Sequence, residues 1–164
     1  MFKVSDYVVH GSNGVCQIVN IKKDEYSTDV ETEYYFLKPV FGDNMTIMVP
    51  VNNPKTAMRA ISTKDDILSL IASMSAIETT WIQDEKQRNE DFKAALRSGN
   101  NEELIKIIKT LYLEKEARSA AGRKLTKTDE EIFNSAEKHI NQEFAIVLDI
   151  SPDEVIPYIL EHIS

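Results

Sequence analysis

The sequence predicts an α+β protein: a small antiparallel β-barrel over residues 1–63, followed by an all-helical part over residues 64–164. Two observations predict it. Before about residue 63, apolar side chains recur at every second position between turn-forming residues, which is the pattern of short, half-buried strands. After Thr63 they recur three and four positions apart, which is the pattern of amphipathic helices. No Gly/Ser-rich linker, repeat or low-complexity stretch separates the two parts, so they are expected to touch or to share a short, stiff junction.

The strands follow in order. Val4, Val8 and Val9 lie around the polar pair Ser5-Asp6. The loop His10-Gly11-Ser12-Asn13-Gly14 carries two glycines able to take positive φ. Val15, Gln17, Val19 and Ile21 then fall on one face of an extended segment, with Cys16, Ile18 and Asn20 on the other. Lys22 to Asp29 reads as a charged hairpin tip. A β-rich run covers Glu33 to Phe41, including Tyr34-Tyr35-Phe36-Leu37. Gly42-Asp43-Asn44 is a turn, and Met45 to Val51 is the next strand, with Pro50 at its end or on an edge. Ala57 to Ser62 supplies a last one. Short strands divided by turns suggest a small barrel that keeps an edge, to be protected or used by a partner.

The helices begin at Thr63, a candidate cap, with Ile67, Leu70 and Ile71 on one face. A second helix is expected from about Trp81 to Arg97, ended by Ser98-Gly99. Asn100 and Glu103 resemble a capping box before the stripe Leu104, Ile107, Ile108, Leu111, on a helix reaching about Arg118. Ser119 to Leu125 is a connector. Thr128 to about Leu148 places Ile132, Ala136, Ile140 and Phe144 four residues apart. Ser151-Pro152-Asp153-Glu154 opens the last helix, with Pro157 expected to bend or strain it.

Composition narrows the function. A hydrophobic share of 42% is too high for a disordered chain. No apolar run approaches the roughly 18 residues of a membrane span. The opening Met-Phe-Lys-Val-Ser-Asp is mixed and charged, so no secretory leader is expected. The single cysteine, Cys16, suits a reducing cytoplasm, and three scattered histidines offer no metal cage. Lys and Arg number 19 against 27 Asp and Glu, a net charge of −8. The first 63 residues carry net −1 and the rest net −7, so any nucleic-acid surface on the helical part must be a basic island in an acidic setting.

There is no Walker loop, GxGxxG, HExxH or nucleophile pair, so no catalytic residue is expected. The acidic runs Asp65-Asp66, Asp84-Glu85 and Asp129-Glu130-Glu131 sit where first helical turns are expected and complement the helix dipole. Three features stand out. Trp81, the sole tryptophan, shares a helical face with Arg88 and Phe92. It reads either as an anchor packed on a neighbouring helix or as a ring that inserts at a partly unstacked base step. Arg118, Arg123, Lys124 and Lys127 cluster on one connector, with Lys115 a turn before. Lys115 and Arg118 suit a helix C-terminus; the other three approach a helix N-terminus that can also receive phosphate. Met45 to Val51 reads either as an ordinary strand or as a protein-docking edge.

Together these residues resemble the CarD/CdnL family of bacterial transcription regulators. The N-terminal part resembles the RNA-polymerase-interacting domain also found in transcription-repair coupling factor. The likeness rests on Phe2 to Val9, Gly14-Val15, Tyr34 to Lys38 and Met45 to Pro50. In the helical half it rests on Trp81, Leu96 to Asn100, Ile107 to Tyr112, Asp129-Glu130 and Ala136-Glu137. The resemblance implies a Tudor-like β-domain that binds the polymerase β subunit through a strand edge, here Lys23 with Ile47, Met48, Val49 and Pro50. It implies a helical domain at the upstream edge of the transcription bubble, where Trp81 wedges into the minor groove and stabilises the open complex. Arg88, Lys93, Arg118, Arg123, Lys124 and Lys127 would then offset the acidic surface around it.

Two departures stand beside this likeness. The family often has an arginine where this chain has Met48, and another near Lys23 or Asp24. The stretch from Trp81 to Ser98-Gly99 is about one helical turn longer than in the best-known members, and it carries Asp84, Glu85, Glu90 and Asp91. The resulting expectation is a non-enzymatic, cytoplasmic regulator, nucleoid-associated through polymerase, with weak and non-sequence-specific DNA contacts. No cofactor, metal, membrane or small-molecule ligand is expected. The alternative is a protein-only adaptor that docks polymerase or another partner and makes no DNA contact.

Overall fold

Two compact units, Met1–Ile61 and Ser62–Ser164, divide the chain in the computed structural model, which describes residues 2–23, 32–42, 44–52 and 58–163. The first unit holds five strands: β1 (Tyr7–His10), β2 (Val15–Lys23), β3 (Glu33–Pro39), β4 (Ile47–Pro50) and β5 (Met58–Ala60). They form one antiparallel sheet in the order β4-β3-β2-β1-β5, so β4 and β5 are its edges among the described residues. The expected hairpin tip lies, from residue 24 onward, outside the described residues, as do Asp43 and Ala57.

The core of the sheet is Val8, Cys16, Ile18, Tyr35, Leu37 and Val49, closed at one side by Phe2, edge-on to Tyr35 at 5.9 Å. Strict alternation fails in β2. A bulge between Ile18 and Asn20 leaves Val19 as the extra, exposed residue. It brings Ile21 onto the core face, opposite Tyr35, although Ile21 and Ile18 are an odd number of residues apart. The expected shared face of Val15, Gln17, Val19 and Ile21 is therefore replaced by one that holds Cys16, Ile18 and Ile21. Gly14, at φ 74° and ψ −148°, turns the chain into β2 in a conformation that a side chain would strain.

The second unit is helical: α1 (Lys64–Ser73), α2 (Glu85–Ser98), α3 (Asn101–Ala120), α4 (Lys127–Leu148) and α5 (Val155–Ile163). The α+β class read from the sequence is the one observed. Each start has a local cause. Thr63 and Asp66 form a capping box at α1. Asp84 Oδ1 accepts from the Lys86 N–H at α2, Asn100 from that of Glu103 at α3, and Thr126 from that of Asp129 at α4. Ser151 and Glu154 box the turn before α5, and the two hydrogen bonds from Ser151 hold the Glu154 carboxyl below its ordinary pKa.

Two starts differ from expectation. The second helix begins at Glu85, not Trp81, which leaves the tryptophan outside any helix. The fourth is capped by Thr126, two residues before Thr128. Pro157 falls in the first turn of α5, where a missing N–H is tolerated, and the chain tightens into a 3-10 turn, Pro152–Glu154, just ahead of it. On α4 the four-residue stripe Ile132, Ala136, Ile140 and Phe144 is at most 4% exposed and packs against Ile67, Ile71, Leu104, Leu111 and Val155. Burial of each large side chain there stabilises the unit by about 1.5–3 kcal/mol.

Candidate nucleic-acid and protein interfaces

Trp81 sits on segment 77–84, between the 3-10 turn that ends α1 (Met74–Ala76) and the start of α2. The segment is anchored at its beginning. Lys109, on α3, donates from Nζ to the carbonyls of Met74, Ser75 and Ile77 at 3.1, 3.2 and 2.6 Å. It is anchored again after the tryptophan, where Arg88 Nη1 donates to the Ile82 carbonyl at 3.0 Å. The indole itself is half-buried and leans on the helical core.

Two guanidinium groups flank the indole. The Arg88 carbon lies 4.4 Å from the ring centroid and the Arg118 carbon 5.6 Å, both within cation–π range. They differ in exposure. Arg88 is 3% exposed and pairs with Asp129, Nε to Oδ1 at 3.2 Å and Nη2 to Oδ2 at 2.9 Å. Its charge is consumed inside the unit, so the expected phosphate contact by Arg88 is corrected: this arginine is a buried structural cation. Asp129, expected to be a surface residue complementing the α4 dipole, is its buried partner. No local pattern announces a pair 41 positions apart.

Arg118 keeps part of its surface. Its Nε donates to Glu114 Oε1 at 2.9 Å and its Nη1 to the Lys124 carbonyl at 3.3 Å. That second bond ties the connector to the tryptophan site. The connector itself closes the C-terminus of α3, with the N–H groups of Gly122 and Arg123 donating to the carbonyls of Ser119 and Arg118. Arg123, Lys124 and Lys127 are exposed along it. The structure thus joins Trp81, Arg118 and, through the Lys124 carbonyl, the basic connector. It does not bring in Lys93, exposed on α2 about 140° around the helix from Arg88. Lys115 lies 5.6 Å from the Phe133 ring. The phosphate reading of the α4 N-terminus is narrowed, because Thr126 Oγ1 already takes the Asp129 N–H.

On the sheet, β4 pairs with β3 through Tyr34↔Pro50, Tyr35↔Val49, Phe36↔Met48 and Leu37↔Ile47. The Val51 N–H donates to the Glu33 carbonyl, so by alternation Val49 also faces β3 while Met48 and Pro50 turn their backbone groups to the outer edge. Pro50, which has no N–H to offer, therefore costs β3 nothing. Val49 is buried, Ile47 half-buried, and Met48 40% exposed. On the same outward face stand Tyr34 and Phe36, with the Lys22 ammonium 5.1 Å from the Phe36 ring. Lys23, exposed at the end of β2, lies in register with Glu33.

Among the described residues, no group of three His, Cys, Asp or Glu could hold a metal, and no helix is long and apolar enough to cross a membrane. The other buried carboxylate in the helical unit, Glu143, accepts the Ser62 N–H at 2.9 Å.

Among curated proteins, none matches the chain. A family model does: residues 2–62, which take in all five strands, match the CarD-like/TRCF RID domain, and the match ends where the helical unit begins. It supports an RNA polymerase partner in general and a transcription-associated role. Residues 2–62 carry a CarD-like/TRCF RID domain, a match that supports a CarD-like assignment for this part of the chain.

Proposed function

We propose that this chain is a transcription regulator that holds RNA polymerase, through its β subunit, with the β4 edge, and stabilises the promoter open complex through the helical unit. The observation that carries the DNA half is the arrangement at Trp81. The sole tryptophan stands outside any helix, half-exposed, with Arg118 beside it and the basic connector tied to Arg118. An aromatic ring next to a cation suits a partly unstacked base step with a phosphate close by. A ring and a few phosphate contacts read the shape of the bubble edge and not the bases, so little sequence specificity follows. A net charge of −7 on residues 64–164 keeps the contact weak. The tether offsets this by making the second contact effectively intramolecular, at a local concentration on the order of millimolar. Activity is then confined to the cytoplasm, at the nucleoid, wherever polymerase is.

The test is Trp81→Ala. It leaves polymerase binding unchanged and shortens the open-complex lifetime in a promoter-melting assay; unchanged lifetimes would remove the wedge.

A second reading has two observations in its favour: the indole is partly packed on the core, and the Arg88 cation beside it is buried. In that reading the chain is an adaptor, the sheet holding polymerase or another protein and the helices a second protein, without DNA. Iodide quenching of Trp81 separates the two, since a ring closed to iodide favours the adaptor.

A further inference from the structure

A guanidinium that only contacts solvent or phosphate has no reason to be buried. Arg88 is buried, and its side chain and that of Asp129 are 4% and 0% exposed. Taking both charges out of water is costly unless the geometry is close and the remaining hydrogen bonds are made. Here they are made: both carboxylate oxygens of Asp129 are engaged, and Nη1 is used on the Ile82 carbonyl. The same guanidinium lies 4.4 Å from the Trp81 ring. One side chain on α2, braced by α4, therefore contacts both the indole and the backbone of the residue after it. At the other end of the segment Lys109, on α3, holds three carbonyls. A segment outside any helix is thus pinned on both sides of its aromatic residue.

Building on the wedge reading above, we infer that the Arg88–Asp129 pair is a positioning clamp for Trp81: it holds the indole in one orientation before any DNA arrives. An ordered ring has less conformational freedom to lose on insertion, which is how preorganisation strengthens a contact without adding one. Arg88 is a positioning residue and touches no nucleic acid.

The sole tryptophan makes the test specific, because its fluorescence reports on this segment alone. The full chain is prepared with Arg88→Met and Asp129→Leu together, a change that removes both charges at similar volume and leaves none stranded. The expected result is a folded, cooperatively melting protein in which Trp81 anisotropy falls and iodide quenching rises about twofold. Open-complex lifetime shortens by about tenfold, within what loss of a desolvated cation–π contact of this kind accounts for. Arg88→Lys, which keeps a positive charge against Asp129 but loses the planar fork, moves the fluorescence in the same direction and is read instead if the double variant does not fold. A folded variant with the anisotropy and quenching of the parent would overturn the clamp. Lifetimes indifferent to Trp81→Ala would instead overturn the wedge reading, and the fluorescence would still decide the clamp.

Discussion

At the scale of single residues, burial decides what each ionisable group can do. Arg88 and Asp129 neutralise one another inside the helical unit, while Arg118, also within cation–π range of the indole, stays partly in water. Cys16 shows the same principle on the sheet. It is fully buried, its Sγ donates to the Gly14 carbonyl at 3.6 Å, and desolvation pushes its thiol from 9.0 up to about 11. The unfolded chain thus releases this proton at lower pH than the folded one. The stability this thiol contributes is whole below pH 9 and is lost as pH rises toward 11, at about 1.4 kcal/mol per pH unit. Urea titrations across that range should show the decline, and Cys16→Ala should flatten it. Equal slopes for the two proteins would contradict the assignment. These residue roles were the least legible part of the sequence. Trp81 and the cluster around Arg118 stood out because unusual residue types are visible one at a time. The Arg88–Asp129 pair did not, because Asp129 sits in an acidic run at a helix start, where dipole complementarity explains it equally well.

At the scale of elements, the outer edge of β4 makes the sheet usable by a partner. Met48 turns its N–H and carbonyl outward while Val49 and Val51 hold β3. Met48→Pro should therefore spare the β3–β4 ladder and weaken polymerase binding, by about tenfold for one strand-edge hydrogen bond lost at the interface. Met48→Leu should bind as the parent does. A proline variant with full affinity would move the contact off this edge. Element existence was legible throughout, since period two and period 3.6 are local properties of the chain. The bulge in β2 was not: an inserted residue shifts the face of everything after it, and only the pairing with β3 reveals the shift. The start of α2 was missed for a different reason. Asp84 with Gln87 three residues on is a usable cap signal, but the apolar Trp81-Ile82 pair before it extended the helical pattern backwards.

At the scale of the whole molecule, an acidic chain carries a small basic feature beside its one tryptophan, and a polymerase-interacting domain precedes it in sequence. These fit together if protein contact supplies the affinity and nucleic acid supplies the effect. The family match reached residue 62 and left the helical unit to be read from its geometry, so the second half of the account rests on Trp81, Arg118 and the connector. The measurement that tests the account most directly is a pair of binding isotherms for the full chain, one against purified RNA polymerase and one against a forked promoter fragment, each across a salt series. The account predicts saturable polymerase binding. It predicts DNA binding no tighter than about 10⁻⁴ M near physiological salt, with a logarithmic salt slope of about −3 from the four cations Arg118, Arg123, Lys124 and Lys127. Tight DNA binding by a chain indifferent to polymerase would contradict it.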